Sequence, residues 1–519
     1  GYDEPFALYG LLAESIEVPD DRSAITFHLN PKAAFSDGRP VTADDVLFSF
    51  EVLRERGRPN YRTYYKKVAK AEKLGDRSVR FAFSPEPDAD GAAGSGAATF
   101  DREMPLIMGL MPVLARHQFD AESFERTSLE AFVSSGPYTF GRIDRGRSIT
   151  YTRNPDYWGK DLPVNRGRFN FDEVRYDYYR DASVMIEEFK TGQIDIRPEE
   201  DPARWAEGYK VPALGEGRIV KREMDVAIPA GMTGLAFNTR REMFKDQRVR
   251  RAMVLLFDFE FVNRSLYFGL FKRTVSYFER SMLSSAGRPA DAREKALLAA
   301  FPDAVTPEVM AGTHRPPQSD GSGQNRDNWR LAFALLKEAG YEQRAGKLVH
   351  AATGKPLAFE ILANSTAHPR LLASFTGDLA RLGITASVRV VDSAQYQARL
   401  NVYDYDMIQT TWPSSLSPGN EQLFRWSRRA AATEGTFNFA GVESEAADQM
   451  IAAMLSAKTA EAFVSAVRAL DRVLISGDYV IPLFHVPKQW IAHWRHMKAP
   501  AVTPISGFNL DTWWIEGEK

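Results

Sequence analysis

Residues 26–50 combine the alternating pattern of a strand with the three-to-four-residue spacing of a helix. Alternation of apolar and polar positions over 26–29 predicts a strand. Asp37 and Gly38 then supply turn chemistry, because glycine accepts positive φ and aspartate bonds its own backbone. Thr42 and two aspartates predict a helix start, since oxygen atoms stabilise the free amides of a first turn. Apolar residues follow at helical spacing at Val46, Phe50 and Leu53.

Periodicities divide the rest of the chain into a strand-rich first half and a second half in which strands and helices alternate. A strand over 357–362, a helical stripe that ends at Gly383 and a strand over 384–391 predict a βαβ crossover with parallel strands. Proline, glycine and small polar residues predict loops over 85–99 and 302–326. The other predicted elements are strands over 79–83, 148–152, 480–484 and 490–492, and helices over 184–190 and 329–339.

Composition places the chain among ordinary globular proteins. A length of 519 residues predicts two or three domains, and 44% hydrophobic and 26% charged residues are typical values. A net charge of −2 provides no bulk attraction for nucleic acid. The absence of cysteine excludes disulfides and thiol nucleophiles. The sequence has no apolar run long enough to span a membrane and no visible signal peptide, and we interpret a chain that starts at Gly1 as a processed or truncated product.

Candidate catalytic and metal-binding residues are few. His493 and His496 would point to opposite faces of a strand, which is poor geometry for a metal site, and we interpret them, with His485, as surface or interface residues. Asp44 and Asp45 are explained by their position in the first turn of a helix. The sequence has no phosphate-binding loop, dinucleotide fingerprint, nucleophile elbow or zinc-protease motif. We therefore predict no catalytic residue, no metal ligand and no cofactor.

The opening stretch also resembles the signature of family 5 extracellular solute-binding proteins, the peptide- and nickel-binding subunits of bacterial ABC importers. The matching positions are Phe27, Leu29, Phe35, Asp37, Gly38, Pro40, Thr42, Ala43, Asp45 and Val46. Segments at 135–138, 154–158, 190–195 and 235–239 resemble further family motifs in the expected order. The resemblance covers nearly the whole chain. It implies an α/β, two-lobed periplasmic binding protein fold of class II, cluster C type, with an extra subdomain in lobe one and a hinge between the lobes.

Within the family, the segments 3–13, 415–422 and 438–441 resemble the YejA-like branch, whose members take up oligopeptides, including peptides derived from peptidoglycan. The domains implied are lobe one with its subdomain over 1–237, lobe two over 238–478, and a return to lobe one over 479–519. Family members carry further strands ahead of the motif at 3–5. The resemblance therefore implies that part of lobe one is missing from this sequence or supplied separately.

The function implied is that of the periplasmic, monomeric binding component of an ABC importer. It would capture oligopeptides, with murein peptides as the favoured case, between two closing lobes and deliver them to the inner-membrane permease without turnover. Two alternatives stay open at this point. The same fold could bind another solute, such as a nickel chelate, heme or a sugar, or the chain could be a two-domain peptide hydrolase.

The stretch after the strand ending near Trp412 is the main candidate for ligand contact. In the best-known peptide binders this region carries an aspartate that binds the α-ammonium group of the peptide. In this sequence Ser414 and Ser415 occupy the region, and no acidic residue lies between Trp412 and Glu421. This departure predicts a hydroxyl-lined pocket for a ligand with a capped or unusual amino end; a solvated loop is the alternative. Arginine can grip a carboxylate, and aromatic residues can wall a peptide. The predicted ligand-binding residues are Trp412, Ser414, Ser415, Asn420, Arg425, Asn438, Phe439, Asn238, Phe237, Tyr9 and His485.

Overall fold

The computed structural model describes residues 4–57, 59–85, 100–119, 121–122, 124, 131–179, 181–364 and 369–516. In chain order, the strands of these residues are β1 (Ala13–Glu17), β2 (Ala24–Leu29), β3 (Val68–Gly75), β4 (Ser78–Phe83), β5 (Tyr138–Asp144), β6 (Ser148–Arg153), β7 (Glu173–Asp177), β8 (Ile196–Glu199), β9 (Ile219–Asp225), β10 (Met232–Phe237), β11 (Lys272–Arg273), β12 (Tyr341–Arg344), β13 (Lys347–His350), β14 (Ala358–Ala363), β15 (Thr385–Val390), β16 (Met407–Trp412), β17 (Val480–Pro482), β18 (Phe484–His485), β19 (Lys488–Trp494), β20 (Met497–Lys498) and β21 (Trp514–Ile515).

The α-helices are α1 (Ala43–Arg56), α2 (Pro59–Tyr65), α3 (Met104–Gly109), α4 (Ala182–Lys190), α5 (Pro212–Gly215), α6 (Glu242–Lys245), α7 (Gln247–Leu256), α8 (Phe259–Tyr267), α9 (Ala292–Leu298), α10 (Pro307–Met310), α11 (Arg326–Glu338), α12 (Pro369–Arg381), α13 (Ser393–Asn401), α14 (Glu421–Trp426), α15 (Arg428–Ala431), α16 (Glu445–Ser456) and α17 (Ala460–Ser476). Short 3-10 helices lie at Pro163–Asn165 and Leu510–Thr512, and a π-helix lies at Arg204–Gly208.

The predicted strand, turn and helix near the start of the chain are confirmed as β2, a turn at Gly38 and α1. β2 is central in an antiparallel sheet of order β1-β2-β4-β3, and α1 packs on it with the Phe50 ring 5.2 Å from that of Phe81. Gly38 has φ +85°, which favours glycine. Asp45 is buried and accepts the amide of Thr42 at 2.9 Å, so this carboxylate has a structural role.

Two further sheets bring the end of the chain back beside the first half. One has the order β5-β6-β7, and the other has the order β8-β19-β9, in which β19 pairs antiparallel with both neighbours. Trp490 of β19 stacks on Trp205 with ring centroids 5.7 Å apart. We use lobe one for these two sheets together with the β1–β4 sheet and helices α1–α5.

The second half of the chain builds a five-stranded sheet of order β15-β14-β16-β10-β17. β14 is parallel to β15 and to β16, so the predicted βαβ crossover is confirmed, and Gly383 ends its helix with φ +81°. β10 and β17 pair with each other within this sheet. The predicted boundaries, after 237 and 478, would have assigned both strands to lobe one. We therefore propose that lobe two extends over residues 232–482.

Most of the other predicted elements coincide with observed ones, and the exceptions have local causes. The predicted loop over 302–326 is wrong at 307–310, where Pro307 begins the single turn α10 with φ already suited to a helix. The helix predicted over 329–339 begins earlier, at Arg326. Of the loop predicted over 85–99, residues 86–99 lie outside the described residues.

Candidate functional site

The end of β16 is fixed to the core of lobe two by the side chain of Trp412. Its ring is 3% exposed and lies 4.9 Å from the ring of Trp426. Its indole N–H donates to the carbonyl oxygen of Phe437 at 3.0 Å. Trp412 therefore supports the loop that follows, residues 413–420, which we call the cleft loop.

The cleft loop also depends on a close backbone approach at Gly231, just before β10. Gly231 has φ +70°, and a Cβ atom there would overlap the carbonyl oxygen of Trp412 and lie 3.2 Å from the nitrogen of Ser414. Only glycine satisfies both the backbone conformation and the available space.

We expect Gly231→Ala to lower the free energy of unfolding by at least about 2 kcal/mol, because the left-handed conformation costs roughly 1–2 kcal/mol and the steric overlap adds to it. Gly217→Ala is the matched control, since Gly217 has φ +69° with open space around it. Urea unfolding midpoints measure both. Equal losses of unfolding free energy in the two variants would show that the close contact between residue 231 and the cleft loop adds nothing to the cost of the alanine substitution.

Ser414 and Ser415 have different surroundings although they are adjacent. Within the part of the chain that the structure describes, the Ser414 hydroxyl is buried and makes no hydrogen bond. Ser415 is exposed, and its hydroxyl oxygen accepts the Ser417 amide at 3.3 Å. A buried hydroxyl without a partner costs free energy, and a ligand that bonds to it would remove that cost.

Arg425 and Phe439 both lie near the start of the cleft loop. The guanidinium of Arg425 donates to the carbonyl oxygen of Pro413 at 2.7 Å. Phe439 is half-buried, with its ring 6.0 Å from that of Trp412 and 6.1 Å from that of Phe437. Phe437 is 56% exposed and forms the outer end of this aromatic series. Phe437 was not among the predicted residues, although the Phe437-x-Phe439 spacing was a signal for it.

Three other predicted residues are buried in the frame of lobe two. The side-chain amide of Asn238 donates to the carbonyl oxygens of Tyr403 and Tyr405 at 3.0 and 2.8 Å. Asn438 accepts the Val442 amide at 2.8 Å and donates to two backbone carbonyl oxygens. Phe237 is fully buried in the apolar core. Their observed contacts in this structure are therefore packing and internal hydrogen bonds.

Tyr9 and His485 are distant from the cleft loop in sequence. Tyr9 is 63% exposed, and its hydroxyl donates to the carboxylate of Glu4. His485 lies on β18, with Nδ1 3.2 Å from the hydroxyl oxygen of Thr274. Burial, with the nearby charges of Arg280 and Lys272, lowers the pKa of His485 to about 4, so this imidazole is neutral at neutral pH.

Asn420, at the end of the cleft loop, is the predicted residue that reaches lobe one. Its amide N–H donates to Glu103 at 3.2 Å, and its side-chain amide donates to Asp101 at 2.9 Å. These two acids were not among the predicted residues, because a contact across more than 300 residues leaves no periodic signal in the sequence.

An open recess of about 620 Å³ lies at the ends of strands β14 and β16. Its lining is mainly polar, with Thr410 and Thr411 leading directly into the cleft loop. The hydroxyl oxygen of Thr411 lies 3.0 Å from that of Thr233. The lining residues are Ala363, Asn364, Tyr396, Leu400, Gln409, Thr410 and Thr411.

The described residues provide no metal centre or membrane span. Nowhere in them do three or more His, Asp or Glu side chains gather in a group that could hold a metal ion. His493 is buried edge-on against Trp513, and His496 bonds to Asp195 at 2.7 Å. No helix among them is long and apolar enough to cross a bilayer.

Comparisons with known proteins agree with this architecture. The family model described as "Bacterial extracellular solute-binding proteins, family 5 Middle" matches residues 7–433. The peptidoglycan-binding protein YepA of Agrobacterium fabrum is 45% identical over 520 residues, which span 99% of this chain and 82% of YepA.

Two solved structures have the same fold at low sequence identity. NikA from Brucella suis, in complex with Fe(III)-EDTA, has a TM-score of 0.70 and 20% identity, covering 98% of this chain and 91% of NikA. The oligopeptide-binding protein AppA from Bacillus subtilis, in complex with a nonapeptide, has a TM-score of 0.65 and 19% identity, covering 98% of this chain and 90% of AppA. These likenesses confirm the predicted α/β, two-lobed periplasmic binding protein fold.

Proposed function

Because the chain belongs to family 5 of the bacterial extracellular solute-binding proteins, we propose that it captures oligopeptides between its lobes, with peptides derived from peptidoglycan as the favoured class. It would act in the periplasm, bind without turnover and deliver its ligand to the permease of an ABC importer. The observation that carries the choice of ligand is the 45% identity to a peptidoglycan-binding protein over nearly the whole chain.

The proposed contacts differ from those that the sequence predicted. Buried residues that bond to the frame are left out, as are Tyr9 and His485, which are distant from the cleft loop in sequence, and Phe437 is added. Ser414 and Ser415 supply hydroxyl groups, and Arg425 lies beside them for a carboxylate. Phe437 and Phe439 wall the ligand with aromatic surface. Asn420 completes the set at the end of the cleft loop.

The charge of this set favours a ligand without a free α-ammonium group. The cleft loop contains no acid, and both carboxylate oxygens of Glu421, the next residue, accept the amide of Gly419, at 3.1 and 3.0 Å. An ammonium group beside Ser414 would therefore lose water without gaining a counter-charge from the loop. A peptide whose amino end is blocked, as in a muramyl peptide, avoids this cost.

Isothermal titration calorimetry against a small panel tests the proposal. The panel contains a murein tripeptide that keeps its N-acetylmuramyl group, so that its amino end is blocked, together with tri-alanine, N-acetyl-tri-alanine and, for a metal-chelate receptor, Fe(III)-EDTA. We expect the murein peptide to bind, and N-acetyl-tri-alanine to bind more tightly than tri-alanine. Binding of the chelate alone, or of no peptide to the folded protein, would overturn the proposal.

The Ser414 hydroxyl gives a sharper test of the site. Ser414→Ala removes a buried hydroxyl that has no partner within the described part of the chain, so the unliganded protein should be as stable as the parent or more stable. If the ligand bonds to this hydroxyl, affinity for the best peptide of the panel should fall about 5–10-fold, the equivalent of a hydrogen bond of roughly 1–1.4 kcal/mol.

Ser415→Ala is the matched control, because its hydroxyl is exposed and serves its own loop. We expect this variant to change affinity by less than about twofold, since exposed hydroxyls exchange freely with water. Equal affinities in the Ser414 and Ser415 variants would remove Ser414 from the site while leaving the ligand class unaffected.

A further inference from the structure

Three consecutive residues of lobe one contact two separate parts of lobe two. We call Asp101, Arg102 and Glu103 the clasp. The guanidinium Nη1 of Arg102 donates to the carbonyl oxygen of Leu455 at 3.0 Å and also to that of Ala457, at the C-terminal end of α16. These carbonyl groups carry the negative end of the helix dipole, so a cation is favoured there.

The second contact of the clasp is with the end of the cleft loop. Asn420 donates its backbone amide to Glu103 Oε2 at 3.2 Å and its side-chain amide to Asp101 Oδ2 at 2.9 Å. Asp101 Oδ1 accepts the backbone amide of Glu103 at 2.9 Å, which holds the clasp in shape. Gly419 lies against the Glu103 carboxylate, where a Cβ atom would overlap the carboxylate oxygens.

The apolar flank of the clasp also joins the lobes. The Arg102 guanidinium lies 5.8 Å from the ring centroid of Phe6. That ring meets Phe463 of α17 edge-on, with centroids 5.0 Å apart. The clasp therefore combines hydrogen bonds with aromatic packing across one interface.

The charges that face Glu103 are mostly negative. They are the carboxylates of Asp101 and, from lobe two, Glu421, with Arg102 as the opposing cation. Tyr64 of α2 faces the same group, while the Lys67 ammonium is 2.7 Å from Asp101. Burial raises the pKa of Glu103 to about 7, the hydrogen bond from the Asn420 backbone amide opposes this shift, and the Glu421 and Asp101 charges add to it.

We propose that the clasp is the contact through which lobe one closes on lobe two, and that closing takes up a proton on Glu103. A neutral Glu103 can meet Gly419 and Glu421 without bringing a further negative charge into an interface that already holds Asp101 and Glu421. The inference deepens the proposed function, since closing of the lobes is how the receptor would retain its peptide.

The sign of the pH dependence follows from the two protonation equilibria. We take Glu103 to be solvated in separated lobes, with its ordinary pKa of 4.5, and in the closed contact its pKa is about 7. The closed state therefore binds more protons between these values, so closing is favoured in acid and is weakened as the pH rises from about 4.5 to about 7. By this linkage, the closed-to-open ratio should fall on the order of 30-fold from pH 5.5 to pH 8.5.

Single-molecule energy transfer between two dyes measures that ratio without any ligand. The sequence has no cysteine, so dyes attach only at Glu51→Cys and Ala452→Cys, which are exposed on α1 and α16. We expect the parent protein to shift from the short-distance to the long-distance population as the pH rises. Glu103→Gln has a neutral side chain of similar shape, and this variant should stay closed at both pH 5.5 and pH 8.5. Arg102→Ala should favour the open population at both pH values.

Glu434→Gln is the control, because it removes an exposed carboxyl of lobe two outside the clasp and should keep the parent response. Circular dichroism melting shows that each variant is folded. A parent protein with the same populations at both pH values, or a Glu103→Gln variant that keeps the parent pH response, would overturn the inference. Because the measurement uses no peptide, either outcome leaves the proposed peptide binding standing.

Discussion

Glu294→Gln is expected to lower the free energy of unfolding of lobe two by about 3–5 kcal/mol, because it leaves a buried positive charge without its counter-ion. Glu294 Oε2 lies 2.5 Å from Nε of Arg472, and the two side chains are 1% and 0% exposed. The other guanidinium nitrogens of Arg472 donate to the carbonyl oxygens of Arg288 and Val309. Those neutral acceptors satisfy hydrogen bonds but do not compensate the charge. Urea unfolding followed by fluorescence measures the loss.

Two variants separate this effect from a general loss of ion pairs. Glu242→Gln breaks an exposed pair with Lys245 at 2.7 Å and should leave the urea unfolding midpoint close to that of the parent, because solvent screens this pair. The double variant Glu294→Leu with Arg472→Met removes both charges and should recover most of the stability, since apolar replacements of buried pairs are commonly tolerated. A Glu294→Gln loss as small as that of Glu242→Gln would contradict the expectation.

Sequence reasoning succeeded where neighbouring residues decide the structure. The turn at Gly38 and the buried stripe of α1 follow from local chemistry and periodicity, and the structure has both. The crossover through Gly383 was predictable for the same reason, because alternating strand and helix patterns force parallel pairing. The single turn α10 was missed because four residues are too few for a periodic pattern.

The candidate site was less predictable, because its properties come from contacts distant in sequence. Asn238 and Asn438 are polar and suggest a cleft, yet each is buried and bonded to backbone groups. Burial of this kind depends on which loops the fold brings together. The pairing of Glu103 with Asn420 spans 317 residues, and neither residue type signals it. The end of the strand at Trp412 and the loop after it were predictable, through the change from strand residues to serine, proline and glycine.

Trp412→Ala is expected to have a comparably large effect and to act on stability and binding together. Removing a fully packed tryptophan costs roughly 3–5 kcal/mol, since the cavity only partly collapses. The ring lies in one aromatic series between Trp426, at 4.9 Å, and Phe439, at 6.0 Å. Loss of this support should release both the cleft loop and the proposed aromatic wall, so peptide affinity should fall below detection by calorimetry.

Trp412→Phe separates the two contributions of this side chain. It keeps an aromatic ring in the series but loses the N–H that donates to Phe437 at 3.0 Å, leaving a carbonyl oxygen without that bond. We expect a loss of about 1 kcal/mol, the contribution of one partly buried hydrogen bond, with peptide binding retained. Trp514→Ala, at a residue that is 38% exposed, should cost less than about 1 kcal/mol and leave affinity unchanged.

If Trp412→Ala bound peptide as the parent does, the cleft loop could not be the ligand site, because its main support would be gone without consequence.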